Sequence, residues 1–246
     1  MPIKRAGKVV LAAMVLLGSF ASSGAAEDLD PRDLVGRMSA AIAGLDSYRV
    51  DGDHYLDARL PAGLIIEHPS EVTVRVRRPG AIRLTNRTIE DTMEIFFSET
   101  SFTVFSESKG FYSQTEIEPG IESALDYAID ELGIDAPFLD FLISDIAGNL
   151  LADAEEVDYL GTALIRGREH HQVVIRQSEI DVQLWIASEG PALPGKLSIS
   201  SKWEGGAPRS VTFMVWDLAP DIPEGKLVFE PPEGATQIPS LEDVID

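Results

Sequence analysis

The chain has 246 residues, 44% of them hydrophobic, with 41 acidic against 20 basic side chains and a formal net charge of −21. That charge repels nucleic acid and anionic lipid surfaces at long range. The sequence contains no cysteine, which excludes both a disulfide framework and a lipid-modified cysteine, so stability has to come from a buried core.

Lys4, Arg5 and Lys8 precede an apolar run from Val9 to Phe20, and small residues follow up to Ala26, with Gly24 and Ala26 at the −3 and −1 positions of a cut before Glu27. The run is too short to span a bilayer comfortably, and the layout is that of a secretory signal peptide. The expectation is a signal over 1–26 and a single exported domain over 27–246, periplasmic and soluble, with no second apolar stretch long enough to cross a membrane. Residues 27–246 carry 17 basic against 41 acidic residues, a net charge near −24. Those acids are dispersed, which reads as a solubilising surface.

Asp30-Pro31 is a helix start, an N-cap residue followed by proline at the first helical position. Leu34, Val35, Met38, Ile42 and Leu45 recur after it at helical spacing, and Gly44 to Ser47 can end the helix. From Tyr48 to Tyr112 the period shifts towards two. Val72, Val74 and Val76 alternate with Thr73, Arg75 and Arg77, and short apolar runs recur at Ile82–Leu84, Met93–Phe97 and Phe102–Phe105. Breaks are expected at Pro61–Gly63, Pro69-Ser70, Pro79-Gly80, Ser98–Ser101 and Lys109-Gly110, giving an antiparallel meander.

After Pro119-Gly120, Ile121, Leu125, Ala128, Ile129 and Leu132 share a helical face that Gly133 can stop, and a second apolar segment runs from Phe138 to Leu151. Strand patterns resume at Tyr159–Arg166, His171–Gln177, Val182–Ala187, Lys196–Lys202 and Val211–Leu218, with a last short one near Leu227–Phe229. Pro231-Pro232 and Leu241–Asp246 read as a loose terminus. The order helix, strands, two helices, strands is not βαβ alternation. It predicts an α+β fold, mainly antiparallel β: one strongly curved sheet, a half-open barrel, with helices packed on its concave side.

No Gly-x-Ser-x-Gly elbow, P-loop, Gly-x-Gly-x-x-Gly or His-Glu-x-x-His occurs, and nothing calls for a cofactor or a metal. His170 and His171 are strand neighbours pointing to opposite faces, so they do not converge on one ion; one is expected in the core and one in solvent. Asp51, Asp53 and Asp57 with His54 form the densest polar cluster and are the one candidate for acid-base work. Asn86-Arg87-Thr88 matches a glycosylation sequon of little weight. The aromatic residues fall almost wholly in strand patterns and are chiefly core. A curved sheet with apolar residues on its concave face also makes a pocket for an acyl chain, and Phe96, Phe105, Leu125, Trp185 and Phe213 are the candidate lining residues.

Tyr159-Leu160-Gly161, Gly167-Arg168-Glu169-His170-His171, Asp181 to Ile186, Pro194-Gly195-Lys196-Leu197, Trp216-Asp217-Leu218-Ala219-Pro220 and Phe229 to Ala235 together resemble the family of predicted periplasmic proteins called domain of unknown function 2092. That family is similar in plan to the lipoprotein carriers LolA and LolB, whose fold is an incomplete antiparallel barrel capped by helices around an apolar cavity. The resemblance implies a non-enzymatic periplasmic carrier, lipid binder or sensor and transfers no ligand residue. Its partner would be a lipid or lipoprotein-like ligand; the alternative is a filled core with no ligand and an exposed face that docks an envelope protein. A hydrolase built on Asp51 to Asp57 and His54 is a third reading.

Overall fold

The structure, a computed structural model, describes residues 29–61, 63–134, 138–203 and 208–239. The expected signal segment and the acidic end lie outside the described residues.

Helix α1 (Pro31–Ala43) starts where its cap predicts: Asp30 Oδ1 accepts from the Arg32 N–H at 2.8 Å. Its apolar stripe is fully used. Leu34, Val35, Met38 and Ile42 are each 2% exposed or less, and each such burial contributes about 2 kcal/mol.

Strands β1 (Ser47–Arg59) and β2 (Ile65–Arg77) pair along their whole length. β3 (Ala81–Arg87), β4 (Thr92–Ser98), β5 (Ser101–Ser106) and β6 (Phe111–Glu116) continue the meander. A helical segment follows: α2 (Ile121–Asp126), a π turn (Tyr127–Glu131), a 3-10 turn (Leu139–Phe141) and α3 (Ile146–Ala152). The second meander comprises β7 (Glu156–Ile165), β8 (Arg168–Arg176), β9 (Ile180–Ala187), β10 (Pro194–Ser201) and β11 (Arg209–Asp217), and the short β12 (Thr236–Gln237) comes last.

All twelve form one sheet in the order β12-β6-β5-β4-β3-β2-β1-β11-β10-β9-β8-β7. The two meanders join at β1 and β11, and every pairing is antiparallel except β12 with β6. The sheet is strongly curled. Arg166, in the β7–β8 turn, forms an ion pair with Asp53 on β1 although β9, β10 and β11 lie between. At about 4.8 Å per strand a flat sheet would keep that pair apart.

Register assigns the faces, because directly opposed residues share one. Val50, Val74, Leu84, Ile95 and Val104 form one cross-strand row, and Arg49, Arg75, Arg83 and Phe96 form the next row on the opposite face. The valine face carries the helices. Tyr127 meets Phe102 edge-on at 5.2 Å between centroids, and the Arg78 guanidinium donates to the Leu142 carbonyl at 3.3 Å. Helices and this face share one continuous cluster of buried side chains. The predicted fold class therefore stands.

Four expectations change. Pro69 does not break a strand: it sits inside β2 opposite Tyr55, beyond the last β2–β3 pair at Glu71, where no neighbouring strand needs its missing N–H. The Ile121–Leu132 helix is split, its second half widening to a π turn with the Leu132 N–H on the Tyr127 carbonyl, before Gly133 at φ 60° ends it. No strand forms at Leu227–Phe229. The stretch around Pro231-Pro232 is not loose either: after β11 the chain crosses the outer face as a strap, buries Leu227 to 1% exposure, and lies beside β6, with the Thr236 N–H on the Gly110 carbonyl at 2.9 Å.

Candidate functional site

The helical segment between β6 and β7 covers the apolar face at its centre, where β1 carries Gly52. The missing side chain leaves a notch, and the Phe138 ring fills it. A β-carbon built on Gly52 would stand 2.6 Å from Phe138 Cζ. Phe138 is 4% exposed and has φ 75°, a left-handed conformation that a bulky residue adopts only at a cost of about 1–3 kcal/mol. Phe141, Leu142 and Ile146 are each 2% exposed or less beside it.

The segment is held mainly by apolar contact and few polar ties: the Ala147 N–H to Ser39 Oγ at 3.2 Å, Tyr127 Oη to Thr115 Oγ1 at 3.4 Å, Gln177 Nε2 donating to the Leu150 carbonyl at 3.0 Å, and the Arg78–Leu142 bond. Its helical pieces are three to seven residues long, too short to persist without the surface beneath them. The arrangement is a set of short helical pieces packed on an apolar face, with their side chains filling the space above it.

Of the five candidate lining residues, Leu125 lies in this helical segment and is buried with the interior cluster. Register puts the other four on the opposite face. Phe96 pairs with Arg83 and Phe105 with Glu94, and both rings pack on Phe229 of the strap at 5.3 and 5.6 Å. Trp185 pairs with Lys196, which pairs with Phe213. The Lys196 ammonium lies 4.2 Å from the Trp185 centroid and 5.0 Å from that of Phe213. Burial, and then the charge of Arg209, push its pKa below the ordinary lysine value. The interior positions in the same strands are Phe97, Phe102, Leu184, Ile186 and Met214. Sequence reasoning passed over Gly52 and Phe138; the only signal was a lone glycine within a strand pattern.

The acidic cluster does not converge with its histidine. Asp51 pairs with Arg49 at 3.0 Å, Asp53 with Arg166, and Asp57 with Arg209 at 3.9 Å. His54 faces the other way, its Nδ1 2.8 Å from Thr212 Oγ1. These contacts correct the hydrolase reading: three carboxylates each spent on a different guanidinium share no reactive centre.

His170 and His171 part as expected, but neither is in open solvent. His170 is 5% exposed, over the backbone of Gly195 where a β-carbon would stand 2.2 Å from Nε2, and His171 Nδ1 is 3.0 Å from the Tyr159 hydroxyl. Among the described residues no three His, Asp or Glu side chains come together as a metal site, and no helix is long and apolar enough to cross a membrane.

The family model "Predicted periplasmic protein (DUF2092)" matches residues 32–241. No curated protein sequence matches the chain. Similar solved structures include the lipoprotein LppX of Mycobacterium tuberculosis (12% identity, 78% of this chain and 98% of that one, TM-score 0.48). An uncharacterized conserved protein from Thermus thermophilus aligns at 10% identity over 85% and 98%, with a TM-score of 0.47. A LolA superfamily protein from Nitrosomonas europaea aligns at 11% identity over 82% and 98%, with a TM-score of 0.39.

Proposed function

The chain belongs to the family of predicted periplasmic proteins DUF2092, and from that premise we propose that it is a non-enzymatic envelope protein that binds a single apolar chain, a lipid or acyl group, between the valine face of its sheet and a lid of residues 121–152. The observation that carries this reading is the Phe138 ring seated on Gly52. Phe138, Phe141 and Leu142 fill the space over this face, the volume that a ligand would take on displacing them.

Opening the lid uncovers a continuous apolar floor that includes Val50, Val74, Leu84 and Ile95. A bound chain replaces the lid contacts it displaces, at about 0.8 kcal/mol per buried methylene. The relaxation of a left-handed Phe138 favours exchange. Residues 1–26 belong to this proposal as the export signal, and 27–246 as one domain. Native mass spectrometry of gently purified protein, followed by titration with a fluorescent fatty acid, tests the reading. Co-purifying lipid or micromolar binding supports it, and neither being found overturns it.

A second reading is favoured by the filled interior itself: the lid side chains are permanent core, and the protein docks an envelope partner without a small ligand. Hydrogen exchange separates the two. A lid that exchanges well before the β1–β11 centre fits the first, and one that exchanges with it fits the second.

A further inference from the structure

The outer face, opposite the lid, carries a row of like charges. Arg49, Arg75 and Arg83 stand in direct cross-strand register on β1, β2 and β3, an arrangement that is destabilising when nothing compensates it. Two of the three are compensated. Arg49 holds Asp51 at 3.0 Å and Asp217 at 3.8 Å, and Arg83 holds Glu94 at 2.5 Å while lying 4.9 Å from the Phe96 ring centroid. Arg87, two rows along on the same face, faces Glu71 at 3.6 Å. Arg75, in the middle, makes no ion pair and no side-chain hydrogen bond with any described residue. Burial, and then the charges of Arg83 and Arg49, push its pKa below the ordinary arginine value, with Asp51 and Glu94 pulling weakly the other way.

The strap turns this row into a cleft. Ile222 and Lys226 are fastened over it, the Arg77 guanidinium donating to the Ile222 carbonyl and Arg83 Nη1 donating to the Lys226 carbonyl at 3.3 Å. The cleft, half-open to solvent, has a volume of about 420 Å³, with Arg75 on its sheet side, Lys226 on its strap side, and Glu94 and Asp221 as the carboxylates on its wall. Lys226 likewise forms no ion pair with a described residue. In a strongly acidic chain, two cations that pair with no carboxylate among the described residues thus line one half-open cleft. A guanidinium fork and an ammonium meet oxygen atoms on different sides of a tetrahedral oxyanion.

We propose that this cleft binds a phosphate-type oxyanion, with Arg75 as its principal ligand, Lys226 closing from the strap, and Arg49 and Arg83 supplying the flanking charge. The site lies on the face away from the lid and is independent of what the lid covers. A free phosphate and the head group of a lipid share this chemistry, and the test has an arm for each.

Calorimetric titration of the purified protein at constant ionic strength, with inorganic phosphate and with short-chain dihexanoyl phosphatidate below its micelle concentration, reads the site directly. Saturable binding of at least one probe is expected, weakened tenfold or more in Arg75→Gln and unchanged in Arg37→Gln on α1. In phosphate-free buffer Arg75→Gln should melt at or above the parent temperature, because the like-charge row is relieved; this shows that the variant is folded. Should it fold poorly, Arg75→Lys decides, retaining binding within tenfold of the parent. Phosphatidate binding tenfold tighter than phosphate assigns a lipid head group, and equal affinities assign a free anion. No saturable binding of either probe, or an Arg75→Gln variant that binds like the parent, overturns the proposal.

Discussion

Phe138 lies against Gly52 so closely that a β-carbon on the glycine would meet Cζ of the ring at 2.6 Å and the Phe213 carbonyl oxygen at 2.9 Å. A side chain of the lid and a hydrogen in the middle of the sheet are thus fitted to each other. The ring can swing away, but the carbonyl belongs to the β1–β11 ladder and moves only with it.

Gly52→Ala should therefore lose about 1–3 kcal/mol, the usual penalty for adding a methyl to a filled site. Urea unfolding measures the loss, and limited proteolysis should find residues 121–152 cut faster as the ring is expelled. An unchanged urea midpoint would contradict the close fit.

Phe229 ties the strap to the sheet through three rings, with centroids 5.3 Å from Phe96, 5.6 Å from Phe105 and 5.0 Å from Tyr112. Phe229→Ala should cost about 3 kcal/mol, at the low end for an aromatic truncation because the ring is only partly buried. The strap should become the first site of proteolysis. A loss below about 1 kcal/mol would show that the strap is held by its backbone bonds instead.

Asp91 joins two turns, accepting from Ser106 Oγ at 2.6 Å and from the Ser108 N–H at 2.9 Å. Burial alone would raise its pKa, but these hydrogen bonds outweigh it and the carboxyl titrates below its ordinary value. A depressed folded pKa contributes stability that is present above the unfolded value, about 3.9, and is lost as pH falls through the folded one. At neutral pH Asp91→Asn should be less stable by about 1 kcal/mol, discounted for solvent exposure. Urea midpoints should converge as the pH drops below about 4, and a gap that persists in acid would contradict the carboxylate's role.

How much was legible follows from how each feature is encoded. The first helix was, because Asp30-Pro31 and the spacing of Leu34, Val35, Met38 and Ile42 are local signals with local causes. Strand positions were legible too, along with the single curved sheet. The faces were not. Phe96-Phe97 and Phe102 to Phe105 are apolar on both sides, so alternation is silent there, and the reason lies far off in sequence: Phe229 covers the outer side of those strands. Carrying the parity of Val72, Val74 and Val76 across the hairpins would have put Phe97 and Phe102 inside and Phe96 and Phe105 outside. In the strap, Leu227–Phe229 reads as a strand and Pro231-Pro232 as loose, because a short apolar run and turn residues do not show that a crossing segment buries Leu227. Phe138 stayed hidden because its role depends on a glycine 86 positions earlier in the chain.

The lid account is tested most directly by fluorescent fatty-acid titration of Phe138→Ala beside the parent protein. Removing the plug should lower stability by about 3 kcal/mol, since the left-handed backbone at 138 is relieved only in part. It should also tighten fatty-acid binding about tenfold, because the ligand no longer competes with the ring for the floor over Gly52. A variant that is destabilised yet binds no better than the parent, or a pair that does not bind at all, would contradict the account and leave residues 121–152 as ordinary core.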